Sequence, residues 1–262
     1  MLHAGSVSDA SEPTICWCIL EAWRGRRMRR MGVLGGMSAQ ATMDFEARVH
    51  RWAQRLIPQQ WNHGSPPMIV WYHRQLPILR GADGRPLEPR QVDPQLVDAA
   101  ARLGKLVEFL VMPCNAAHVG LRQIREAAGC PVLSMIDVTV EEVVRRKCRR
   151  VGVLGAHGAP PPYVDALRQR DIECERIDAT LQQRVDAGIR ALMEGTDGKE
   201  DTEAARAAVG ALRARSVEAV VLGCTEIPLL LRDESDAADL ISPAALLAEA
   251  AVRFAIETGR NA

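Results

Sequence analysis

The chain has 262 residues, 47% of them hydrophobic and 25% charged, which is enough apolar material for a sizeable core and for one or two domains. Its 33 Lys plus Arg balance 33 Asp plus Glu and only 4% of residues are aromatic, so it lacks the basic field and the stacking platforms that nucleic-acid binding uses. No apolar run reaches the roughly 18–20 residues that span a bilayer, so a membrane is no more an expected partner than nucleic acid is.

Residues 1–30 mix Gly, Ser and Asp with a short apolar patch, Thr14 to Leu20, followed by a basic stretch from Arg24 to Arg30. A secretory signal has the opposite order, charge before apolar segment. The expectation is a poorly ordered N-terminal extension over 1–30, with Met28 or Met31 as a candidate true start. Cys16-Trp17-Cys18 lacks a second Cys/His pair at ligand spacing, so no metal is expected. Seven cysteines in a long chain without a secretory signal read as free thiols in a cytoplasmic protein rather than a disulfide framework.

From Met31 the pattern becomes regular. Met31 to Gly36 reads as a buried strand ending in a glycine turn, and amphipathic helical text follows from Ala39 to about Leu56. Pro67 to Tyr72 reads as a strand, Pro94 to Leu106 as a helix, Phe109 to Met112 as a strand, and Pro131 to Ile136 as another strand with a helix after it. Strands alternating with helices predict a parallel sheet covered on both faces.

The opening then returns. Val151-Gly152-Val153-Leu154-Gly155-Ala156 repeats Met31–Gly36, and Ala219–Thr225 echoes Phe109–Asn115, each apolar strand ending in a Cys followed by a small polar residue. Two echoes in the same order indicate duplicated halves. Ligands of open α/β sheets sit outside the carboxyl ends of the strands, which is where Cys114 and Cys224 fall. If the halves pack around a pseudo-two-fold axis, the two thiols face each other across one cleft.

Such a pair has a chemical use. A thiol acts as a base only as thiolate, and its pKa falls at a helix N-terminus, whose N–H groups also hold carboxylates. One thiolate and one thiol on opposite faces of a carbon acid remove a proton from one side and return it from the other, inverting the centre. Cys130, Cys148 and Cys174 carry no partner motif and read as core residues. His118 follows Cys114 by one helical turn and suits helix packing or support of the site better than a Cys–His nucleophile pair. The spacing around Gly35-Gly36 and Gly152-X-X-Gly155 is that of a tight turn, not of a dinucleotide fingerprint. Ser38 and Gln40 sit at a helix start, where capping competes with substrate contact; Glu226 is placed to orient a thiol or an ammonium group, or to cap. The Arg145–Arg150 run reads as a solvated helix end.

Three segments, Gly35-Gly36-Met37-Ser38-Ala39-Gln40-Ala41-Thr42, Met112-Pro113-Cys114-Asn115-Ala116-Ala117-His118 and Leu222-Gly223-Cys224-Thr225-Glu226, resemble the signatures of the aspartate/glutamate racemase family, the cofactor-independent amino-acid racemases. The resemblance runs from about Met31 to about Phe254. It implies two flavodoxin-like parallel-sheet α/β domains with the active site in the interdomain cleft. Their expected extents are 31–133 plus 241–262 for the first and 134–240 for the second. It further implies Cys114 and Cys224 as the proton-transferring pair, with Met37, Ser38, Gln40, Arg80, Asn115, Ala116, Ala117, Thr225 and Glu226 around the substrate, and often a homodimer.

Three departures bear on the substrate. Ala116 stands where many members have Thr. Gln75-Leu76-Pro77 leads to Ile78-Leu79-Arg80 where aspartate-specific members have an Asp-Arg pair, and His157–Tyr163 lacks their Lys. These groups read an acidic side chain by charge-assisted hydrogen bonds, so the reaction type carries over better than aspartate specificity. Only Lys105, Lys147 and Lys199 are present, none placed as a buried Schiff-base lysine, so pyridoxal phosphate is not expected. Two other readings keep the scaffold: a related two-cysteine hydantoin racemase or maleate-type isomerase, and an inactive two-lobed small-molecule binding protein.

Overall fold

The computed structural model describes residues 27–59, 64–82, 86–158 and 160–257. The expected extension up to residue 26, with its Cys16–Cys18 pair, and residues 258–262 lie outside that set. Among the described residues no helix is long and apolar enough to cross a membrane.

The first half opens with strand β1 (Met31–Gly35), helix α1 (Ala39–Leu56), strand β2 (Met68–Tyr72), helix α2 (Pro94–Gly104) and strand β3 (Phe109–Val111). A 3-10 turn (Ala116–Gly120), helix α3 (Leu121–Ala128), strand β4 (Val132–Leu133) and helix α4 (Met135–Arg145) follow. The second half runs β5 (Arg150–Leu154), α5 (Pro161–Arg168), β6 (Glu173–Glu175), α6 (Ala179–Glu194), α7 (Lys199–Arg213) and β7 (Ala219–Leu222). It ends with the short helix α8 (Ile227–Leu231), a 3-10 turn (Arg232–Asp236), β8 (Leu240–Ile241) and helix α9 (Pro243–Ile256).

Both sheets are parallel and share one order, β2-β1-β3-β4 in the first and β6-β5-β7-β8 in the second. The duplication read in the sequence is therefore a duplication of topology, with each glycine-turn strand and each cysteine strand side by side at the centre of its sheet. The alternation of the strands sorts side chains to two faces. Met31, Val33, Phe109 and Val111 face α1 and α9, whereas Leu34, Leu110 and Met112 face α2 and α3. The second sheet does the same, with Val151, Val153 and Val221 toward α4 and α5, and Leu154, Val220 and Leu222 toward α6, α7 and α8. Helix α9 packs against α1 of the first half and against α4, so the chain's end ties the two together.

One expected strand is shorter than the sequence suggested. Pro131 to Ile136 reads as one apolar run, yet only Val132–Leu133 pairs with β3 and Met135 already begins α4. Ser134 makes the break, its hydroxyl accepting from Asp137 N at 3.0 Å as the N-cap. Met135 and Ile136 then continue the apolar text on a helix, where periodicity over so short a run cannot separate the two states.

The glycine turn after β1 is obligatory. Gly36 has φ of +78°, and a Cβ built on it would lie 2.3 Å from Tyr72 Cα. Its N–H donates to Thr42 Oγ1 at 2.8 Å, which closes the turn against the first turn of α1. Gly36→Ala meets both a left-handed backbone and a clash with main chain, and is expected to destabilise the protein by at least about 2 kcal/mol, read as a lower urea midpoint at unchanged slope.

Candidate active site

The central strands β3 and β7 both end just before a cysteine. After Val111 the chain passes through Met112 and Pro113 to Cys114, whose N–H donates back to Met112 O at 2.8 Å. After Leu222, Gly223 N donates to Val221 O at 3.0 Å and delivers Cys224. Equivalent strand ends in equivalent sheets thus bring the half-buried Cys114 and Cys224 to a single cavity of about 580 Å³. Each half supplies one wall, and the thiols are close enough that a charge on Cys114 raises the pKa of Cys224.

Around the sulfurs the cavity holds a few polar groups. Asn115, 4% exposed, takes a hydrogen bond from Tyr163 Oη on its Oδ1 at 2.6 Å, while its Nδ2 is buried without a hydrogen-bond partner. Ser38 caps α1, its Oγ accepting from Ala41 N at 3.3 Å. Glu226, also 4% exposed, receives two donors on one carboxylate oxygen, the Cys224 thiol at 2.9 Å and the Thr225 hydroxyl at 3.1 Å. Arg80, Arg90 and Arg190 also border the cavity, together with apolar residues such as Ile78, Val119 and Met193. No group of three or more His, Cys, Asp or Glu side chains that would hold a metal occurs among the described residues.

The thiols are not thiolates in this state, contrary to the effect expected from a helix N-terminus. Burial pushes the Cys114 thiol up to about 12; the Ala117 N–H opposes it next most strongly, the nearby Glu226 carboxylate adds to the rise, and the Ala116 N–H pulls back least. Cys224 is raised well above its ordinary value, again first by burial and then by the charge and the hydrogen bond of Glu226. The turn after Cys114 is a short 3-10 segment and α8 spans only Ile227–Leu231, so neither supplies the field of a long helix against the desolvation of a buried anion.

His118 is a structural support. Its Nδ1 lies 2.9 Å from Cys114 O, and its Nε2 accepts the N–H of Met135 at 3.0 Å. An amide donor at Nε2 requires a lone pair there, so the ring is neutral with its proton on Nδ1, donated to the Cys114 carbonyl. Burial lowers its pKa from 6.5 to about 4. The ring thereby fixes the backbone of Cys114 rather than its sulfur.

Of the residues expected around the substrate, Met37, Ser38, Arg80, Asn115, Ala116, Thr225 and Glu226 line the cavity with the two cysteines. Gln40 and Ala117 sit elsewhere. Gln40 Nε2 donates to Leu192 O at 3.2 Å, which links α1 to the last turn of α6 in the other half. Ala117 is fully buried in the core under α2 and α3 and reaches the site only through its N–H. Tyr163, Arg90 and Arg190 escaped the sequence reading. Tyr163 ends the lysine-free stretch His157–Tyr163, and nothing in its spacing marks it as reaching the other half.

Comparison with known proteins gives the arrangement a family setting. The profile of the Asp/Glu/hydantoin racemase family matches residues 34–251. A broad specificity amino-acid racemase from Bacillus subtilis is 24% identical over 227 residues, covering 85% of this chain and 96% of its own. A glutamate racemase from a Synechococcus strain is 32% identical over 176 residues, 64% of this chain and 61% of its own. Among solved structures, a putative Asp/Glu racemase from Yersinia pestis superposes with a TM-score of 0.68 at 22% identity, covering 88% of this chain and 100% of the other. A maleate isomerase from Pseudomonas putida shares the fold more distantly, with a TM-score of 0.52 at 14% identity over 83% of this chain and 88% of its own.

Two measurements test these electrostatics. In the unfolded chain His118 gains its proton near 6.5, whereas in the folded protein it resists to about 4. The stability this represents is present above pH 6.5 and is lost as pH falls through about 4, a loss of about 3 kcal/mol absent from His118→Gln in urea titrations at neutral and acidic pH. Removing the Glu226 charge lowers both thiol pKa values, so Glu226→Gln is expected to speed iodoacetamide labelling of Cys114 and Cys224 several-fold at pH 8, read peptide by peptide in the mass spectrum.

Proposed function

The chain belongs to the Asp/Glu/hydantoin racemase family, and on that premise we propose that it interconverts the enantiomers of a free amino acid without a cofactor, using Cys114 and Cys224 as paired acid–base groups. The observation that carries this reading is the cavity itself, into which two equivalent strand ends each deliver one thiol.

The roles follow from the chemistry of the groups present. The substrate carboxylate takes the unpartnered Nδ2 of Asn115, a donor that no protein group satisfies. The substrate ammonium lies near Glu226, whose carboxylate otherwise holds the thiols protonated; its positive charge offsets that field. Cys224 passes its proton along the 2.9 Å hydrogen bond to Glu226 and becomes the thiolate that removes the Cα proton. Electrons left on Cα delocalise into the carboxylate that the Asn115 donor holds in the bound substrate. Cys114, held as a neutral thiol by its burial, returns a proton from the opposite face. The product state has Cys114 as thiolate, Cys224 as thiol and the first proton still on Glu226, which is the starting state for the reverse direction; loss of the Glu226 proton and reprotonation of Cys114 restore the resting site.

The side chain is read less tightly than the reacting centre. The departures at Ala116, around Arg80 and over His157–Tyr163 remove groups that would fix one acidic side chain, and the neighbouring wall is apolar at Ile78, Val119 and Met193. A broad amino-acid specificity accords with this lining, as does the likeness to a broad specificity amino-acid racemase.

Incubation with single L-amino acids in deuterated water, without added cofactor, is expected to give deuterium at Cα and loss of optical rotation for several side chains. Cys114→Ser and Cys224→Ser are each expected to lower the racemisation rate by about 10²–10⁴-fold. Either variant racemising at the wild-type rate removes the paired-thiol reading.

A further inference from the structure

Tyr163 stands in the first turn of α5, in the second half, and its ring is fully buried among Ile136, Val140 and Val153. Its hydroxyl leaves that core and crosses to the first half, donating to Asn115 Oδ1 at 2.6 Å. The Thr139 hydroxyl, the other group beside the phenol oxygen, commits its proton to Met135 O at 2.7 Å. The phenol proton goes to Asn115 Oδ1, 2.6 Å away, and burial raises the phenol's pKa so that the proton stays in place throughout the neutral range.

A carboxamide that accepts on its oxygen has one orientation left for its nitrogen. Asn115 Nδ2 is buried without a hydrogen-bond partner, and Asn115 borders the cavity. A buried donor left unpaired costs about 1–3 kcal/mol, which an entering acceptor recovers, and a carboxylate recovers most. Turned through 180°, the same amide would present its oxygen to that carboxylate and repel it.

We propose that Tyr163 is a positioning residue for substrate recognition, which locks the Asn115 carboxamide with its N–H groups facing the cavity and so makes carboxylate binding in one half depend on a hydroxyl from the other. The proposal rests on the amino-acid substrate of the preceding reading. It adds that the two halves must meet correctly before the carboxylate is bound, because the donor that holds it is oriented across their boundary.

The test is a double-mutant cycle on Tyr163→Phe and Asn115→Ala, with KM and kcat measured for the amino acid showing fastest Cα exchange. Tyr163→Phe is expected to raise KM about tenfold with kcat changed less than about threefold, the pattern of a lost ground-state contact. In the Asn115→Ala background the same change is expected to raise KM less than about twofold. Equal losses in both backgrounds, no change in KM, or a loss confined to kcat overturns the proposal. Calorimetric titration separates positioning from general damage to the fold. Tyr163→Phe should weaken binding of the amino acid about tenfold and leave its α-carboxamide, which has no carboxylate, bound as by wild type; equal weakening of both overturns the proposal. If the wild type exchanges no Cα proton, the racemase reading fails, and the same titration with L-glutamate and its α-amide still decides the role of Tyr163.

Discussion

The site depends on burying two thiols beside a carboxylate. Each thiol, half-buried at the cavity, is held toward its protonated form by desolvation; with Glu226 in contact with Cys224, both are held further from ionisation. That arrangement suits a reaction in which the base appears only when a ligand brings positive charge. A permanent thiolate would be exposed to oxidation and alkylation between turnovers, whereas a neutral thiol is inert. In the proposed reaction the hydrogen bond from Cys224 to Glu226 gives the thiol proton its exit, so that the carboxylate that suppresses the base at rest would also receive its proton.

A site made from two halves needs their separation held closely, since a displacement of about 1 Å in reacting groups is costly. Side-chain hydrogen bonds across the boundary include Gln40 to Leu192 O and Tyr163 to Asn115 Oδ1. Helix α9 adds apolar packing, with Leu247, Ala248, Ala251 and Val252 in the core shared with α1 while the helix also lies against α4. Within the first half, His118 ties the carbonyl of Cys114 to the start of α4 through Met135 N, so the loop carrying one thiol is anchored to the helix that leads into the second half. The neutral imidazole serves here because it donates at one nitrogen and accepts at the other without burying a charge.

Much of this was legible in the sequence because it repeats. The recurrence of Met31–Gly36 at Val151–Ala156, and of Phe109–Asn115 at Ala219–Thr225, predicted two sheets of one topology with the cysteines at matching strand ends, and the strand orders agree. What stayed hidden depends on distance in space. Tyr163 and Asn115 are far apart in the chain and bond only because α5 lies against the turn after β3. Gln40 looks like a ligand-facing residue at a helix start, yet its amide turns toward the end of α6. The raised thiol pKa values were equally invisible, since a motif shows the neighbouring N–H groups but not the degree of burial that outweighs them. The early end of β4 was concealed because Leu133 and Met135 are both apolar on either side of a single Ser134.

On the proposed racemase reading, the groups at the reacting centre and those that border the rest of the cavity occupy different parts of the fold. Groups able to handle the carboxylate, the ammonium and the Cα proton sit on the turns after β3 and β7, whose positions follow from the sheets. Other cavity-lining residues come from elements outside the sheets: Ile78, Arg80 and Arg90 from the segment between β2 and α2, and Arg190 and Met193 from the exposed end of α6. Ala116 shows the distinction within one residue. Its methyl offers the cavity no hydroxyl, while its backbone N–H still favours the Cys114 thiolate, because that contact is set by the turn and not by the side chain. If the proposed reading holds, substitutions in the outer elements change which amino acid is accepted without moving the thiols, whereas a shift of either strand end misplaces the reacting groups for every substrate.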